Sequence, residues 1–167
     1  VSVNPVKTGY SAIADEWIGI RPGTDGLFVH SLIYELLKSN KVDWKYLRKY
    51  TNANWLVYDN PGNENHGLFA RDENNLPVVY CKNIKNITST KNENSNSAFF
   101  GKFKYNNVKV IPSFELLSKE YLNPKYKPEK ISELIDIEAK IIKKIASEIA
   151  ETAFENEIEI KVDWEDH

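Results

Sequence analysis

The spacing of apolar residues along the chain predicts a protein that mixes long helices with short strands. Apolar residues recur every three or four positions between residues 24 and 40, which is the spacing of one buried helix face. The same spacing returns between residues 137 and 153, where the lysines and glutamates fall on the opposite face. Between residues 158 and 164, apolar and charged residues alternate, as in a half-buried strand.

The middle of the chain has a different character. From residue 52 to residue 111 it is rich in Asn, Gly, Pro and Asp, with room only for short strands and for a hairpin that turns at Asn106 and Asn107. Residues 82–97 contain almost no large apolar side chains, which predicts a mobile segment. We therefore expect a single α/β domain over residues 1–167 that carries a loop-rich insertion with short strands at 52–111.

The junction around Pro22 and Gly23 is the first candidate functional feature. An extended stretch ends there, and a helix restarts behind Thr24 or Asp25, both of which are good helix N-cap residues. Such a junction points free backbone N–H groups and a carboxylate at whatever lies above the turn. Helix capping alone would also explain these two residues.

A second polar turn strengthens the interpretation that the junction at Pro22 and Gly23 binds a ligand. Residues 1–3 have the character of a strand, and the turn Asn4–Thr8 follows them. Two neighbouring turns at one end of a sheet are typical of the place where open α/β sheets bind ligands.

The composition excludes several classes of function. A formal net charge of −2 gives no electrostatic reason to expect nucleic-acid binding, and no apolar run is long enough to predict insertion into a membrane. The single cysteine, Cys81, can form neither an internal disulfide nor an iron–sulfur or zinc site, and we expect it to be a small buried strand residue. The sequence contains no methionine, which indicates a part of a larger protein.

Three stretches together resemble the large catalytic subunit of the molybdopterin oxidoreductases, the dimethyl sulfoxide reductase superfamily. They are Asn4–Thr8, Ala14–Trp17 and Arg21–Asp25. They match a strand-end turn of the type D/N-P-x-x-T, followed by A-D-x-W and then by R/K-P-G-T-D. A looser resemblance covers residues 126–129 and 135–150, where Asp136 stands at a position that is usually glycine in the family. We expect this exchange to alter a tight turn and to leave the ligand chemistry untouched.

The resemblance implies a Rossmann-like, three-layer nucleotide-binding domain with a mainly parallel sheet. It also implies that the chain binds the guanosine diphosphate tail of one of two molybdopterin guanine dinucleotides, which hold molybdenum or tungsten. Arg21 would then contact the diphosphate. The residues expected to contact ribose and phosphate are Asn4, Pro5, Val6, Lys7 and Thr8, and those expected to contact guanine are Gly23, Thr24 and Asp25.

The resemblance places the metal ligand, the substrate funnel and an iron–sulfur cluster mostly outside this sequence. The chain accordingly has no predicted catalytic or metal-ligating residue, and we expect the isolated fragment to bind no cofactor and to be inactive. Its expected partners are the remaining parts of the catalytic polypeptide and an iron–sulfur electron-transfer subunit of a bacterial enzyme. The whole enzyme would oxidise or reduce a small oxyanion or a similar substrate.

Two questions stay open at this point. The compartment is either the periplasm or the cytoplasm, and the periplasm is the more usual one in the family. The alternative function is a stand-alone, non-catalytic α/β module that binds a nucleotide or a partner. The parent reading frame distinguishes the two functions, because only the enzyme requires several hundred further residues.

Overall fold

A computed structural model describes residues 1–92 and 96–155. It has helices α1 (Asp25–Lys38), α2 (Trp44–Tyr50), α3 (Ser113–Tyr121), α4 (Pro128–Ile135) and α5 (Ala139–Phe154). Its strands are β1 (Ser2–Val3), β2 (Trp17–Ile18), β3 (Leu56–Tyr58), β4 (Val78–Cys81), β5 (Asn86–Ser89), β6 (Phe103–Tyr105) and β7 (Val108–Pro112). The strand predicted at 158–164 lies outside the described residues.

The chain divides into two compact units. The first unit joins Val1–Val42 to Tyr121–His167, and the second comprises Asp43–Glu120. The segment 52–111, predicted as an insertion, lies inside the second unit. Each unit is built around its own cluster of apolar side chains.

The first unit packs three helices around a core that is rich in isoleucine. Helix α1 lies against α4 and α5, as its apolar face predicts. The buried core residues are Ile18, Ile20, Phe28, Ile131, Ile135, Ile137, Ile142 and Ile145. Because this cluster includes residues just before the Pro22–Gly23 turn and residues of α4 and α5, it holds the turn against the last part of the described chain.

The prediction of a mixed α/β fold is confirmed, but parallel pairing among the described strands is limited to β1 and β2. In the second unit, β3, β7 and β6 form an antiparallel sheet, and β4 pairs with β5 in an antiparallel hairpin. The connections explain the difference from the expected mainly parallel sheet. Parallel neighbours need a crossover of a dozen or more residues, whereas the short loops between β4 and β5 and between β6 and β7 permit antiparallel pairing only.

The hairpin between β6 and β7 forms where it was predicted. Asn106 and Asn107 connect the strands with φ angles of 47° and 63°. Asparagine tolerates this left-handed region better than most residues, and two such residues in sequence match the twist of a two-residue hairpin. The local sequence was therefore sufficient to place this turn.

The prediction of a mobile segment over residues 82–97 is wrong for Asn86–Ser89. These residues form β5 and pair with β4 along its whole length. Ile87 also packs against the apolar cluster of the second unit, which contains Leu56, Ala70, Val78 and Val110. Composition failed here because backbone hydrogen bonds to a neighbouring strand can hold a strand that carries few apolar side chains.

Glu115 on α3 supports a pH-dependent part of the stability. Its carboxylate accepts hydrogen bonds from the backbone N–H of Gly101 at 2.7 Å and from Nζ of Lys119 at 2.6 Å. Burial by itself raises the pKa of Glu115, but the bonds from Lys119 and Gly101 outweigh it and hold the pKa below its ordinary value of 4.5. The ionised form is therefore favoured in the folded state.

We expect Glu115→Gln to lower the free energy of unfolding by about 1–3 kcal/mol at neutral pH, since hydrogen bonds to a charged group are lost. A carboxyl group whose pKa is lowered on folding stabilises the protein above its unfolded pKa and loses this effect as the pH falls. The difference between wild type and variant should therefore narrow below about pH 4.5. Urea unfolding between pH 7 and pH 3 measures it. Glu64→Gln, at an exposed glutamate of the same unit, is the control and should change little.

Candidate functional site

The first predicted loop, Asn4–Thr8, leaves the end of β1 as a tight polar turn. Oδ1 of Asn4 accepts a hydrogen bond from the backbone N–H of Val6 at 3.2 Å, which fixes the turn around Pro5. The N–H of Thr8 donates to the carbonyl oxygen of Val6 at 2.9 Å. All five residues are exposed, and Lys7 has no ion-pair or hydrogen-bond partner among the described residues. The loop therefore presents backbone, amide and ammonium groups to its surroundings.

Trp17 connects this loop to β2, the strand that leads to the second loop. Its indole Nε1 donates to the carbonyl oxygen of Asn4 at 3.0 Å, and its ring lies so close to Gly19 that an added Cβ would come within 3.2 Å of it. The N–H of Asn4 also donates to the carbonyl oxygen of Ile18 at 3.1 Å. Because β1 and β2 are parallel, the loops that follow them leave the sheet side by side at the C-terminal ends of the two strands.

The second loop is a turn at Arg21–Thr24. The backbone N–H of Thr24 donates to the carbonyl oxygen of Arg21 at 3.3 Å, with Pro22 and Gly23 at the two central positions. Gly23 has a φ of +78°, and proline followed by a residue with positive φ is typical of a type II turn. Space around Gly23 is open, because nothing in the described chain lies within 4 Å of an added Cβ.

Neither Thr24 nor Asp25 caps the start of α1 with a side-chain hydrogen bond within the described residues. Thr24 occupies the N-cap position, but its hydroxyl donates to the carbonyl oxygen of Arg21 at 2.7 Å and provides no side-chain cap. Asp25 is the first helical residue, and its exposed carboxylate makes no hydrogen bond or ion pair within the described residues. The N–H groups of Asp25 and Gly26 also have no acceptor there. Helix capping therefore accounts for neither side chain.

Arg21 has a partner that the sequence did not suggest. Its Nε donates to Oδ2 of Asp136 at 3.0 Å and its Nη2 donates to Oδ1 at 2.7 Å, a bidentate ion pair between exposed side chains. The hydrogen bond and the charge of Asp136 raise the pKa of Arg21. Asp136 is the C-cap of α4 with a φ of +63°, a conformation that explains glycine as the usual residue there. Asp136 therefore contacts Arg21, a residue of the predicted site, in addition to ending α4.

The arrangement suits an anionic ligand with a polar ring. Two adjacent loops offer free N–H groups at a helix N-terminus, one ammonium group at Lys7 and a guanidinium group at Arg21, all of which attract phosphate. Asp25 adds an acceptor-only carboxylate for a donor edge of the ligand. The donor set therefore fits a nucleotide diphosphate. In the described chain, Asn4 of the first loop is bonded to Trp17 and Ile18 of β2, the strand that precedes the second loop.

Metal and redox ligands were not predicted in this chain. Within residues 1–92 and 96–155, no group of three or more His, Cys, Asp or Glu side chains is placed to hold a metal ion. Cys81 is fully buried in β4, which confirms the prediction that it is a small buried strand residue.

No helix within residues 1–92 and 96–155 combines the length and the apolar character needed to cross a bilayer.

Comparison with known proteins gives relatives that are named as dehydrogenases or reductases. No family model matches the chain. A sulfite dehydrogenase subunit of Allochromatium vinosum is 36% identical over an alignment of 176 positions, which covers 99% of this chain and 18% of the relative. The nitrate-inducible formate dehydrogenase major subunit of Escherichia coli is 37% identical over 70 residues, 42% of this chain and 7% of the relative. Dimethyl sulfoxide reductase DmsA of Escherichia coli is 53% identical over 36 residues, 22% of this chain and 4% of the relative.

These relatives define an oxidoreductase class: they are molybdopterin-dependent enzymes. The chain belongs to the molybdopterin oxidoreductases, the family that its three N-terminal stretches resemble. It spans less than a fifth of the length of its sulfite dehydrogenase relative, and it is a fragment of an enzyme of this kind. The prediction that the chain is part of a molybdopterin-dependent oxidoreductase is confirmed.

Proposed function

We propose that the two loops that follow β1 and β2 bind the guanosine diphosphate tail of a molybdopterin guanine dinucleotide in the parent enzyme. The observation that carries this proposal is the start of α1. There an exposed carboxylate and two backbone N–H groups have no partner among the described residues. They lie directly after a strand whose parallel neighbour ends in a second polar loop. Carboxyl ends of adjacent parallel strands are a common place for nucleotides.

In this proposal Asp25 recognises guanine. A carboxylate can accept hydrogen bonds from both N1–H and the N2 amino group of that base, a bidentate and charge-assisted pair. Gly23 and Thr24 form the turn that carries Asp25 and leave space above it. Adenine presents no such pair of donors, so the same carboxylate favours guanine over adenine.

The residues Asn4, Pro5, Val6, Lys7 and Thr8 bind the ribose and phosphate groups in this proposal. Lys7 and Arg21 supply positive charge for a diphosphate, and the exposed first loop supplies the Thr8 hydroxyl and the Asn4 amide. When bound, the cofactor supplies the metal centre at which electrons are exchanged with the substrate. The residues of this chain hold and orient its nucleotide end.

Acid release of nucleotide from the purified parent enzyme tests the identity of the tail. We expect guanine nucleotide in stoichiometric proportion to molybdenum or tungsten. A metal-loaded enzyme that releases no guanine nucleotide, or only another nucleotide, would overturn the proposal.

For the whole enzyme, we propose oxidation or reduction of a small oxyanion, with a sulfur oxyanion such as sulfite as the first choice. The support is the alignment with the sulfite dehydrogenase relative over nearly the entire chain. The sulfite dehydrogenase and formate dehydrogenase relatives are named as single subunits of their enzymes, which indicates assemblies of several subunits. We propose the same organisation here, in which the partner is an iron–sulfur electron-transfer subunit, with an iron–sulfur cluster elsewhere in the parent. Assays of the parent enzyme with sulfite and with formate test the substrate.

The isolated chain of 167 residues should contain no stoichiometric molybdenum, tungsten or iron and should turn over no redox substrate. The reason is that this proposal places the metal ligand, the cluster and the substrate funnel in other parts of the parent enzyme. Elemental analysis of the purified chain measures this, with the parent enzyme as the positive control. Stoichiometric metal in the isolated chain would contradict the prediction.

A further inference from the structure

Two consecutive residues at the end of α4 hold one residue of the proposed nucleotide site. The backbone N–H of Arg21 donates to the carbonyl oxygen of Ile135 at 3.0 Å. The Arg21 guanidinium makes its two bonds to the Asp136 carboxylate at 2.7 and 3.0 Å. Main chain and side chain of Arg21 are thus both fixed by residues more than 110 positions away in the sequence.

The left-handed turn at Asp136 makes this contact possible. The residue ends α4 with a φ of +63° and a ψ of 25°, and Ile135 beside it is fully buried in the core of the first unit. The core therefore fixes the position of the Asp136 backbone, and through it the carboxylate. A glycine could adopt the same turn but would leave the guanidinium without this partner.

The pairing leaves part of the guanidinium available. A guanidinium has five N–H donors, and Asp136 uses one on Nε and one on Nη2. In the described chain Nη1 has no acceptor, so its two donors are not used by protein groups there. An exposed arginine otherwise samples many rotamers, and a bidentate carboxylate restricts it to a few.

We propose that Asp136 is a positioning residue of the nucleotide site, which holds the Arg21 guanidinium so that its remaining donors meet the diphosphate. This inference rests on the proposed nucleotide-binding function. Asp136 acts only through Arg21 and does not itself contact the ligand. The Asp136 carboxylate reduces the net positive charge near the site. Its favourable effect on binding is that it orients the Arg21 guanidinium.

The test uses Asp136→Asn and Asp136→Gly in the full-length parent enzyme. Each variant is purified and dialysed, and the guanine nucleotide released by acid is measured together with a thermal melt. We expect both variants to retain roughly two- to fivefold less nucleotide than wild type, the size expected for an exposed ion pair. The melting temperature of Asp136→Gly should be unchanged, because glycine is favoured in this left-handed turn.

Two further variants make the result specific. Glu138→Gln removes a nearby exposed carboxylate that pairs with Lys140 at 2.7 Å, and it should retain nucleotide normally. Arg21→Ala should lose nucleotide, and the double variant Arg21→Ala with Asp136→Asn should lose no more than Arg21→Ala alone. Such non-additivity is expected when one residue acts through the other.

Wild-type nucleotide content in both Asp136 variants would overturn the inference, and so would additive losses in the double variant. If Asp25→Asn and Arg21→Ala also retain a full complement, the proposed nucleotide site and this inference are both wrong. If Asp25→Asn loses nucleotide while the Asp136 variants keep it, only the positioning role is wrong.

Discussion

Asp25→Asn in the full-length parent enzyme is expected to lose bound guanine nucleotide and to keep its fold. Asparagine cannot offer two charged oxygens to the two donors of guanine, and hydrogen bonds to a charged group contribute about 1.5–3 kcal/mol. Cofactor occupancy should therefore fall by about one to two orders of magnitude at limiting cofactor. The cost to stability should be small, about 0–1 kcal/mol, because Asp25 interacts only with the start of the helix and makes no hydrogen bond within the described residues.

A role at the helix terminus alone predicts the opposite pattern, in which the melting temperature falls slightly and bound nucleotide is unchanged. Nucleotide released by acid, measured beside a thermal melt, distinguishes the two roles. Asp15→Asn is the matched control, because Asp15 is also exposed and lies outside both loops. A full complement of guanine dinucleotide in the Asp25 variant would show that the assignment of Asp25 is wrong.

Ile142→Ala is expected to destabilise the chain by about 2–5 kcal/mol, the usual cost of removing a large aliphatic side chain from a packed core. Ile142 on α5 is fully buried, and it belongs to the cluster that includes Ile18, Ile20 and Ile135. Because Ile20 and Ile135 flank the contact between Arg21 and α4, the cavity should also loosen the second loop.

Ile149→Ala is the control for this prediction. It is the same substitution two turns further along α5, at a side chain that is 43% exposed. It should cost less than about 1 kcal/mol, since few packing contacts are lost at an exposed position. Urea unfolding of the two variants measures the difference. Equal costs would mean that the face of α5 assigned to the core is wrong.

The long helices and the hairpin turn were predictable from the sequence because their determinants are local. The apolar period over residues 24–40 placed α1 within two residues of its ends, and that over 137–153 placed α5 as closely. Asp43 is the N-cap of α2 and lies three residues from its partner, since its carboxylate accepts from the N–H of Tyr46 at 2.8 Å. Capping, helical spacing and turn chemistry each involve residues a few positions apart.

Only part of the candidate site could be predicted from the sequence. The loops Asn4–Thr8 and Arg21–Asp25 carry a recognisable order of residues, and the turn at Gly23 follows from Pro22 before it. The sequence did not show that the Asp25 carboxylate lacks a partner within residues 1–92 and 96–155, since Thr24 and Asp25 are equally good N-cap residues. The structure resolves this because the Thr24 hydroxyl bonds to Arg21 instead.

The sequence by itself determined which segments are helical, where the tight turns fall and which family the chain resembles. Only the tertiary structure decided that β5 pairs with β4, that parallel pairing is confined to β1 and β2 among the described strands, and that Arg21 meets Asp136. The physical reason is the range of the interactions. Helix periods and turns depend on neighbouring residues, whereas strand partners and an ion pair between residues 115 positions apart depend on how the core brings distant segments together.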